Sequence, residues 1–339
     1  MAKKAFDPSS LQAFGHAAAG HDGVLSDASG SVVVKPCTQA EIDFYESVTA
    51  SHPDLAPHLP TYMGTLSLGA DQKVVTGDAE SGMIQTANGL ERLHGRKLET
   101  EVHIVLENIT HGFKKPNVLD LKLGAQLWDE AAKLEKRARL DEVSAKTTSG
   151  SLGFRIAGMR TYKGEPVPEV DETLKEFVDK IDQSGTWVYN KMYGRKFNAE
   201  DVMEGFVAYV LPQSRSKAGL ERAEEVLTYF SKEVADIQKA FESKESRMYS
   251  ASILLVYEGD LEEYAKTKET LAAAAKEPTD EDDEEKDLPK LAAVKMIDFA
   301  HATWHPGKGP DENALQGIRS AEKILKDLLD QVKVDLAKA

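Results

Sequence analysis

The strongest constraint on the fold is an apolar run at residues 116–124, which reads Pro-Asn-Val-Leu-Asp-Leu-Lys-Leu-Gly. Branched apolar residues bounded by proline and glycine are typical of a buried β-strand. The run carries a carboxylate and an ammonium, Asp120 and Lys122, two positions apart. Because positions two apart in a strand share one face, both side chains are predicted to point into the same cleft.

This charged pair has two interpretations. A carboxylate that can orient or deprotonate a hydroxyl, beside a cation that can neutralise phosphate charge, has the chemistry that phosphoryl transfer needs. A salt-bridged pair on the protein surface would show the same spacing. The residues of this segment alone leave both interpretations open.

The first part of the chain carries mainly strand signals. Turn residues precede the β-branched run at residues 32–34, so Lys35 is predicted at the end of a strand. Thr38 and Glu41 have the spacing of a capping box and predict a short helix. Further β-rich runs, including one at 73–76, lie between residues 66 and 107. We therefore predict a sheet-rich N-terminal lobe at residues 1–110.

The remainder of the chain mixes helix and strand signals. Residues 129–146 are rich in strong helix formers and predict a charged, exposed helix. Apolar spacing predicts two long packing helices, at 220–241 and 311–336. Apolar runs predict two strands, at 252–257 and 292–299. The predicted class is α+β, with a second lobe at residues 111–339.

Composition excludes several broad classes of function. Hydrophobic residues make up 41% of the 339 residues, and no run approaches the roughly 20 apolar residues of a transmembrane helix. A net charge of −15 argues against general nucleic-acid binding. Cys37 is the only cysteine, so an intramolecular disulfide and a clustered-cysteine zinc site are excluded. With no apolar signal core at the N-terminus, these features predict a nuclear or cytoplasmic protein.

Charge is distributed unevenly along the chain. Residues 260–287 hold twelve acids and four bases, a balance of −8. Within them, the acid-rich segment at about 276–288 is predicted to be a disordered, solvated loop and a candidate docking segment for a regulatory protein. Residues 114–146 hold eight bases and six acids, a balance of +2. A basic island in an acidic protein predicts a local anionic ligand.

Three motifs resemble those of one enzyme family. Residues 116–124 fit the PxxxDxKxG motif of the inositol polyphosphate kinases at every defined position. Residues 252–254 resemble the family's Ser-Leu-Leu element with isoleucine in the middle, and residues 297–301 its IDFAH element. Flanking segments extend the resemblance, namely 19–21, 106–110, 147–160 and 309–312. The chain is thus similar to this family from about residue 19 to residue 312, and most like its fungal multikinases.

The resemblance implies a two-lobed fold distantly like that of protein kinases. The N-terminal lobe would contain an antiparallel sheet, the C-terminal lobe would be α+β, and ATP would bind between them. A helical insertion, with its basic helix at about 129–150, would hold the inositol phosphate. The helix differs in length and polar residues from that of animal members of the family.

The resemblance also implies nucleotide ligands. Lys35 would pair with the ATP phosphates, and Glu107 and Ile109 would present backbone groups to adenine. Asp298 would hold Mg²⁺, and Ser252 would help to position the phosphates or the metal. The residues alone also fit an exposed strand-end lysine, a turn aspartate and a serine bonded to backbone.

Substrate ligands follow from the same resemblance. Asp120 would orient or deprotonate the acceptor hydroxyl while Lys122 stabilises the transferred charge. The candidates for holding ring phosphates are Lys133, Lys136, Arg137, Lys146, Arg160 and His301. Each basic residue taken alone also fits a solvated surface, and a lone histidine also fits a packing role.

The implied activity is ATP- and Mg²⁺-dependent phosphorylation of hydroxyls on inositol trisphosphate and tetrakisphosphate. A noncatalytic scaffold that holds an inositol phosphate for a regulatory or transcription complex is the alternative. The sequence contains no GxxxxGK[ST] phosphate loop and no HRD-type catalytic loop. These absences argue against a P-loop kinase and a conventional protein kinase.

Overall fold

A computed structural model describes residues 11–18, 23–68, 83–86, 89–92, 100–182, 184–213, 215–276 and 288–339. The strand predicted at 73–76, the segment at 19–21 and most of the acid-rich loop at 276–288 fall outside these ranges. Within them, helices and antiparallel strands are mixed along the chain, and the α+β class is confirmed.

Strands dominate the first 110 residues. They are β1 (Gln12–Ala13), β2 (Leu25–Ser26), β3 (Val32–Pro36), β4 (Tyr62–Ser67), β5 (Met83–Thr86), β6 (Gly89–Arg92) and β7 (Val102–Glu107). An antiparallel sheet has the order β1-β2-β3-β7-β4, and β5 pairs separately with β6. Because β3 lies inside this sheet, its Lys35 is held at a fixed position rather than on a loose end.

A single helix, α1 (Gln39–Ser51), follows β3 and is succeeded by a 3-10 turn at Ala56–His58. The predicted capping box is half formed. Thr38 caps the helix by accepting a hydrogen bond from the Glu41 backbone nitrogen at 3.3 Å. The Glu41 side chain does not return this contact, because it bonds Lys35 instead. The predicted cap therefore also marks an ion pair between α1 and β3.

The second sheet forms the centre of the molecule. Its six antiparallel strands are β8 (Pro116–Leu123), β9 (Phe154–Tyr162), β10 (Val178–Ile181), β11 (Thr186–Tyr189), β13 (Ser252–Glu258) and β14 (Ala292–Ile297). Their order is β10-β11-β9-β8-β13-β14, and β12 (Ser246–Met248) pairs separately with β15 (Ala302–Trp304). The apolar run of β8 is central and covered on both faces, which explains its nearly continuous hydrophobicity.

Helices surround this sheet. They are α2 (Leu134–Ala145), α3 (Thr148–Leu152), α4 (Lys191–Arg195), α5 (Met203–Val210), α6 (Lys217–Glu242), α7 (Leu261–Ala274) and α8 (Glu312–Leu336). The long amphipathic helices α6 and α8 pack on each other and on the sheet, as their apolar spacing predicts. None of the helices in the described ranges is long and apolar enough to span a membrane.

The helix predicted at 129–146 begins later than expected. Asp129 accepts a hydrogen bond from the Ala131 nitrogen through its side chain and from the Ala132 nitrogen through its carbonyl. Such local bonds compete with helix formation and hold the chain in a turn. The helix α2 therefore starts at Leu134, and Asp129 remains outside it.

The core joins the two sheets through aromatic contacts. Phe44 of α1 stacks on Phe299, which directly follows Asp298, with ring centroids 4.5 Å apart. Phe44 also stacks on Trp304 of β15 at 5.1 Å. These contacts fix α1, and with it Glu41, against the segment that carries Asp298.

Candidate active site

A cleft with an empty volume of about 830 Å³ lies between the two sheets. Five residues predicted from the sequence line it, namely Lys35, Glu107, Ile109, Asp120 and Asp298. They come from β3, β7 and the segment after it, β8, and the end of β14. The fold thus gathers positions that are up to 263 residues apart in the chain.

A partly buried ion-pair triad lies at one end of the cleft. Lys35 Nζ is 2.6 Å from Asp298 Oδ1 and 3.0 Å from Glu41 Oε1. Burial alone would lower the pKa of Lys35, but the charge of Asp298, followed by that of Glu41, raises this pKa well above its ordinary value. The lysine is therefore a permanent cation held in a defined position.

Asp298 has an unusual backbone conformation. Its φ angle is 67°, in the left-handed region that residues other than glycine adopt less readily. Aspartate is among the more tolerant residues in this region. The turn follows immediately after β14 and directs the Asp298 carboxylate back toward Lys35.

Asp120 is the buried carboxylate of the site. Burial raises the pKa of its side chain to about 6; Lys122 opposes this effect, whereas Asp298 adds to it. Its side chain is 4% exposed, and its Oδ1 has no hydrogen-bond partner within the described ranges. A buried acceptor with unused capacity fits a group that receives a hydroxyl or a cation.

Lys122 and Ser252 lie beyond Asp120 along the same part of the sheet. The two residues face each other across the pair of β8 and β13. Lys122 Nζ donates to the carbonyl of Ser250 at 3.1 Å. Ser250 itself has a left-handed φ of 59° and donates through its hydroxyl to the carbonyl of Leu127. The ammonium is thus oriented by a tight turn.

The segment after β7 forms the opposite end of the cleft. Glu107 is held by its side chain, which accepts from Lys290 and from Thr61. Ile109 is buried in a small apolar cluster beside the cleft. An ordered backbone next to an apolar wall suits a flat heteroaromatic ring.

An N-terminal segment also lines this end, which sequence reasoning missed. Phe14 and His16 contribute to the cleft wall, and His16 Nδ1 lies 3.0 Å from the hydroxyl of Thr110. Thr110 in turn donates to the side chain of Asn108. No local pattern predicts these contacts, because His16 and Thr110 are 94 positions apart.

The basic residues of the insertion have different environments. Lys133 is the N-cap residue of α2, and both it and Lys136 are exposed. Lys146 is exposed and paired with Glu142. Arg137 stacks over Trp128 at 4.5 Å and donates to the carbonyls of Ala132 and Glu130. Arg137 therefore stabilises the turn before α2, because these contacts engage its guanidinium.

The structure places Arg160 in an internal ion pair. Arg160 lies opposite Val118 in β8, two residues before Asp120, and Lys122 lies opposite Arg155. Arg160 is 2% exposed, and its Nη2 lies 2.7 Å from Asp182. Burial lowers the pKa of His16, and the charge of Arg160 lowers it further. Arg160 therefore lies near the end of the cleft that carries His16. The prediction for Arg160 is corrected accordingly.

His301 is joined to the insertion. Its Nδ1 lies 2.5 Å from Oδ2 of Asp129, and the histidine side chain remains 39% exposed. The contact connects the segment after Asp298 with the turn before α2. Asp129 and Glu41 are thus partners of predicted site residues that the sequence pattern did not reveal.

The oxygen donors at the Asp298 end fit a divalent cation shared with phosphates. No group of three or more Asp, Glu, His or Cys side chains with metal-binding geometry occurs in the described part of the chain. Asp298 and Asp120 nevertheless supply carboxylate oxygens on one side of the cleft. Mg²⁺ is commonly held by one or two carboxylates together with nucleotide phosphates and water rather than by a protein cage.

Comparisons with known proteins identify relatives over most of the chain. The model of the family described as inositol polyphosphate kinase matches residues 103–326. The inositol polyphosphate multikinase of Saccharomyces cerevisiae is 33% identical over 90% of this chain and 95% of its own length. That of Schizosaccharomyces pombe is 30% identical over 91% and 95%.

A solved structure has the same fold. The crystal structure of the inositol phosphate multikinase of Saccharomyces cerevisiae, in complex with ADP and Mn²⁺, superposes with a TM-score of 0.65 at 31% identity. The match covers 88% of this chain and all of that one. The two-lobed fold implied by the sequence motifs is confirmed.

Proposed function

Because the chain belongs to the inositol polyphosphate kinase family, we propose that it is an ATP-dependent inositol polyphosphate multikinase. It would transfer the γ-phosphoryl group to hydroxyls of inositol trisphosphate and tetrakisphosphate. The observation that carries this proposal is that one cleft is lined by the cation Lys35 and the carboxylates Asp120 and Asp298. A noncatalytic scaffold would not require these three groups together.

Lys35 is proposed to neutralise the nucleotide phosphates. Its ammonium is held by Glu41 and Asp298, so little side-chain entropy remains to be lost on binding. Glu107 and Ile109 are proposed to place backbone groups against adenine at the other end of the cleft. Side chains of β3 and β8 line the cleft between the Lys35 end and the adenine end.

Asp298 is proposed to hold Mg²⁺, with Ser252 helping to position the phosphates. The related kinase from Saccharomyces cerevisiae was crystallised with ADP and Mn²⁺, which supports a divalent cation at a nucleotide site of this fold. When bound, such a cation would neutralise charge on the transferred phosphoryl group. The chain's own contribution is a carboxylate fixed by its left-handed backbone and by Lys35.

Asp120 is proposed to orient and deprotonate the acceptor hydroxyl. With its pKa near 6, the carboxyl is ionised at neutral pH and basic enough to accept a proton. The hydroxyl oxygen forms a bond to the γ-phosphorus, while the bond from phosphorus to the ADP oxygen breaks and leaves its electron pair on ADP. The hydroxyl proton passes to Asp120, and Lys122 stabilises the transferred charge.

The exposed cations of the insertion are proposed to attract the substrate. Lys133, Lys136 and Lys146 are exposed and accessible for ring phosphates, and the second ring nitrogen of His301 is proposed as a further ligand. Arg137 is proposed to act by holding the turn before α2.

Location and partners are proposed from composition. A single buried cysteine suits the reducing nucleus or cytoplasm.

The acid-rich segment at 276–288 is proposed to dock a basic regulatory protein. A deletion of residues 277–287 should therefore weaken partner binding while leaving kinase turnover nearly unchanged.

The test of the proposed function is phosphorylation by the purified full chain. Inositol trisphosphate is supplied with ATP and Mg²⁺, and products are separated by charge. We expect conversion to tetrakisphosphate and more highly phosphorylated products, and loss of this conversion in Asp120→Asn. Tight binding of inositol trisphosphate without phosphorylation would instead support the noncatalytic scaffold.

A further inference from the structure

The first turn of α8 is bonded to a segment that precedes β13. Asp311 caps this helix by accepting from the Ala314 nitrogen through Oδ1. Its Oδ2 accepts from the Met248 nitrogen at 2.6 Å, and Asp311 is 3% exposed. The buried carboxylate thus connects α8 to the end of β12, although the proposed chemistry makes no use of residues 309–312.

Asn313 holds the turn that follows β8. Its Oδ1 accepts from the backbone nitrogens of Ala125 and Gln126, at 3.0 and 2.8 Å. Its Nδ2 donates to the carbonyl of Gln126 at 3.0 Å. Two backbone donors and one backbone acceptor therefore fix the orientation of the amide. Removal of this side chain would take three hydrogen bonds from one turn.

The last glycine of the PxxxDxKxG motif leaves room for this amide. Gly124 has a φ angle of 97°, which favours glycine. A Cβ atom at this position would lie 2.6 Å from Asn313 Nδ2. The glycine therefore permits both the turn after β8 and the close approach of Asn313.

Ser250 lies where the two held segments meet. It follows Met248 by two residues, and its hydroxyl donates at 3.0 Å to the carbonyl of Leu127, the residue after the turn that Asn313 holds. Its own carbonyl accepts from Lys122 Nζ at 3.1 Å. Because its φ angle is 59°, Ser250 relies on these neighbours to keep a conformation that residues other than glycine rarely adopt.

We propose that Asn313 is a positioning residue for Lys122, and that it acts through the turn after β8 and through Ser250, with Asp311 supporting the other side of Ser250. This inference rests on the proposed function. In the part of the chain that the structure describes, neither Asp311 nor Asn313 lines the cleft. A lysine ammonium on a flexible stem can take several positions, and the fixed carbonyl of Ser250 selects one of them.

The test compares Asn313→Ala with wild type in the full chain. Rates are measured with inositol trisphosphate and ATP both varied, at saturating Mg²⁺. We expect kcat to fall roughly 10- to 100-fold, because a displaced charge loses its contact mainly in the transition state. The KM for each substrate should stay within about 3-fold. An unchanged kcat, or a loss confined to KM, would overturn the inference.

Glu312→Gln is the matched control in the same helical turn. Glu312 lies between Asp311 and Asn313, is exposed and pairs with Arg319. This variant should keep kcat within about 2-fold. An equal loss of kcat in Glu312→Gln and Asn313→Ala would indicate a general disturbance of α8 and contradict a specific role of the amide. Thermal unfolding of both variants confirms that the rates belong to folded protein.

Ser250→Ala tests the path from Asn313 to Lys122. The change removes the bond to Leu127 and keeps the Ser250 carbonyl that Lys122 contacts. It should lower kcat in the same way as Asn313→Ala. The double variant Asn313→Ala/Ser250→Ala should be no slower than the slower single variant, because both changes loosen the same contact. Losses that multiply would show that Asn313 does not act through Ser250.

Chemical acetylation gives a measurement at Lys122 itself that needs no turnover. The free protein is treated with an amine-reactive acetyl ester, and mass spectrometry follows modification of Lys122 relative to the exposed Lys136. Lys122 should react roughly 2-fold faster or more in Asn313→Ala than in wild type or Glu312→Gln, because its ammonium is released from the Ser250 carbonyl. Equal reactivity in all three proteins overturns this inference and leaves the kinase proposal intact. A wild type without inositol phosphate turnover contradicts the proposed function itself.

Discussion

Lys35 Nζ lies 2.6 Å from Asp298 Oδ1, and this ion pair connects β3 of the first sheet to the end of β14 in the second. The two residues also line the same cleft. Glu41 supports the lysine from α1, which packs through Phe44 against Phe299. The relative position of the two sheets and the charge at the proposed nucleotide site are therefore set by the same contacts.

Replacing Lys35 with Met should lower both stability and activity. Glu41 is 1% exposed and would lose its cation, and breaking a buried pair in this way costs about 3–5 kcal/mol. Urea unfolding measures this loss. The double variant Lys35→Met/Glu41→Gln should recover part of the stability but none of the turnover. If the single and double variants are equally stable, the loss of stability in Lys35→Met does not come from the unpaired charge of Glu41.

Asp120→Asn should stabilise the protein while it abolishes most turnover. The pKa of Asp120 is raised from 3.8 to about 6 in the folded state, so ionisation opposes folding as pH rises through this interval. In the absence of nucleotide and metal, the variant should gain up to about 3 kcal/mol above pH 6 and nothing below about pH 4. Denaturant unfolding across this pH range checks the sign.

Asp182→Asn is the control of opposite sign. Despite the opposing effect of burial, hydrogen bonds from Ser184 and the Thr186 backbone and the charge of Arg160 lower the pKa of Asp182. Its ionised form therefore favours folding, and its replacement should reduce stability at neutral pH. Stabilisation by both substitutions would indicate a general effect of removing negative charge from a chain of net charge −15.

Asp298→Asn should separate the metal requirement from folding. The substitution keeps the side-chain shape and removes the charge that a hard divalent cation needs. We expect kcat to fall by roughly 100-fold or more and the Mg²⁺ concentration for half-maximal rate to rise. Unfolding should change less than in Lys35→Met, because Glu41 still pairs with Lys35. Unchanged turnover at saturating Mg²⁺ would contradict the role of Asp298.

Long periodic or alternating segments were predictable from the sequence, and long-range partners were not. The apolar run of β8 identified Asp120 and Lys122 on one face, and the apolar spacing of α6 and α8 located both helices. These patterns are local, so they can be recognised in the sequence without knowledge of the tertiary structure.

The unpredicted features of the site arise from register and from distant pairs. Arg160 was predicted as a substrate ligand but lies opposite Val118, and the bulge between β8 and β9 puts Arg155 rather than Ile156 opposite Lys122. The bulge leaves no clear local mark in the sequence. The contact between Asp129 and His301 joins residues 172 positions apart and is invisible to helical or strand spacing.

The cations of the insertion should divide into two groups. Lys133 and Lys136 are exposed, so replacing both with Ala should raise the KM for inositol phosphates roughly 3- to 10-fold at low ionic strength and reduce its dependence on salt. Arg137→Ala should instead lower thermal stability, because it removes the stacking on Trp128 and the bonds to the preceding turn. An unchanged KM in the double lysine variant would assign these residues to a solvated surface.

Asp129→Asn tests whether the carboxylate positions His301 for the substrate. The Nδ1 of His301 lies 2.5 Å from Asp129, so the carboxylate fixes the ring and leaves Nε2 for a ligand. An amide keeps the size of the side chain but loses the charge, and the ring should become less well oriented. We expect the KM for inositol trisphosphate to rise roughly 3- to 10-fold, with kcat and the KM for ATP changing less.

The double variant Asp129→Asn/His301→Gln should be no worse than His301→Gln alone, because Asp129 acts through the histidine. Asp141→Asn is the matched control on the same insertion, since Asp141 accepts from Trp128 Nε1 at 2.6 Å and has no contact with His301. It should leave the KM for inositol trisphosphate unchanged. If Asp129→Asn weakens binding further when His301 is already Gln, the aspartate acts mainly by holding the turn before α2, through its bonds to Ala131 and Ala132.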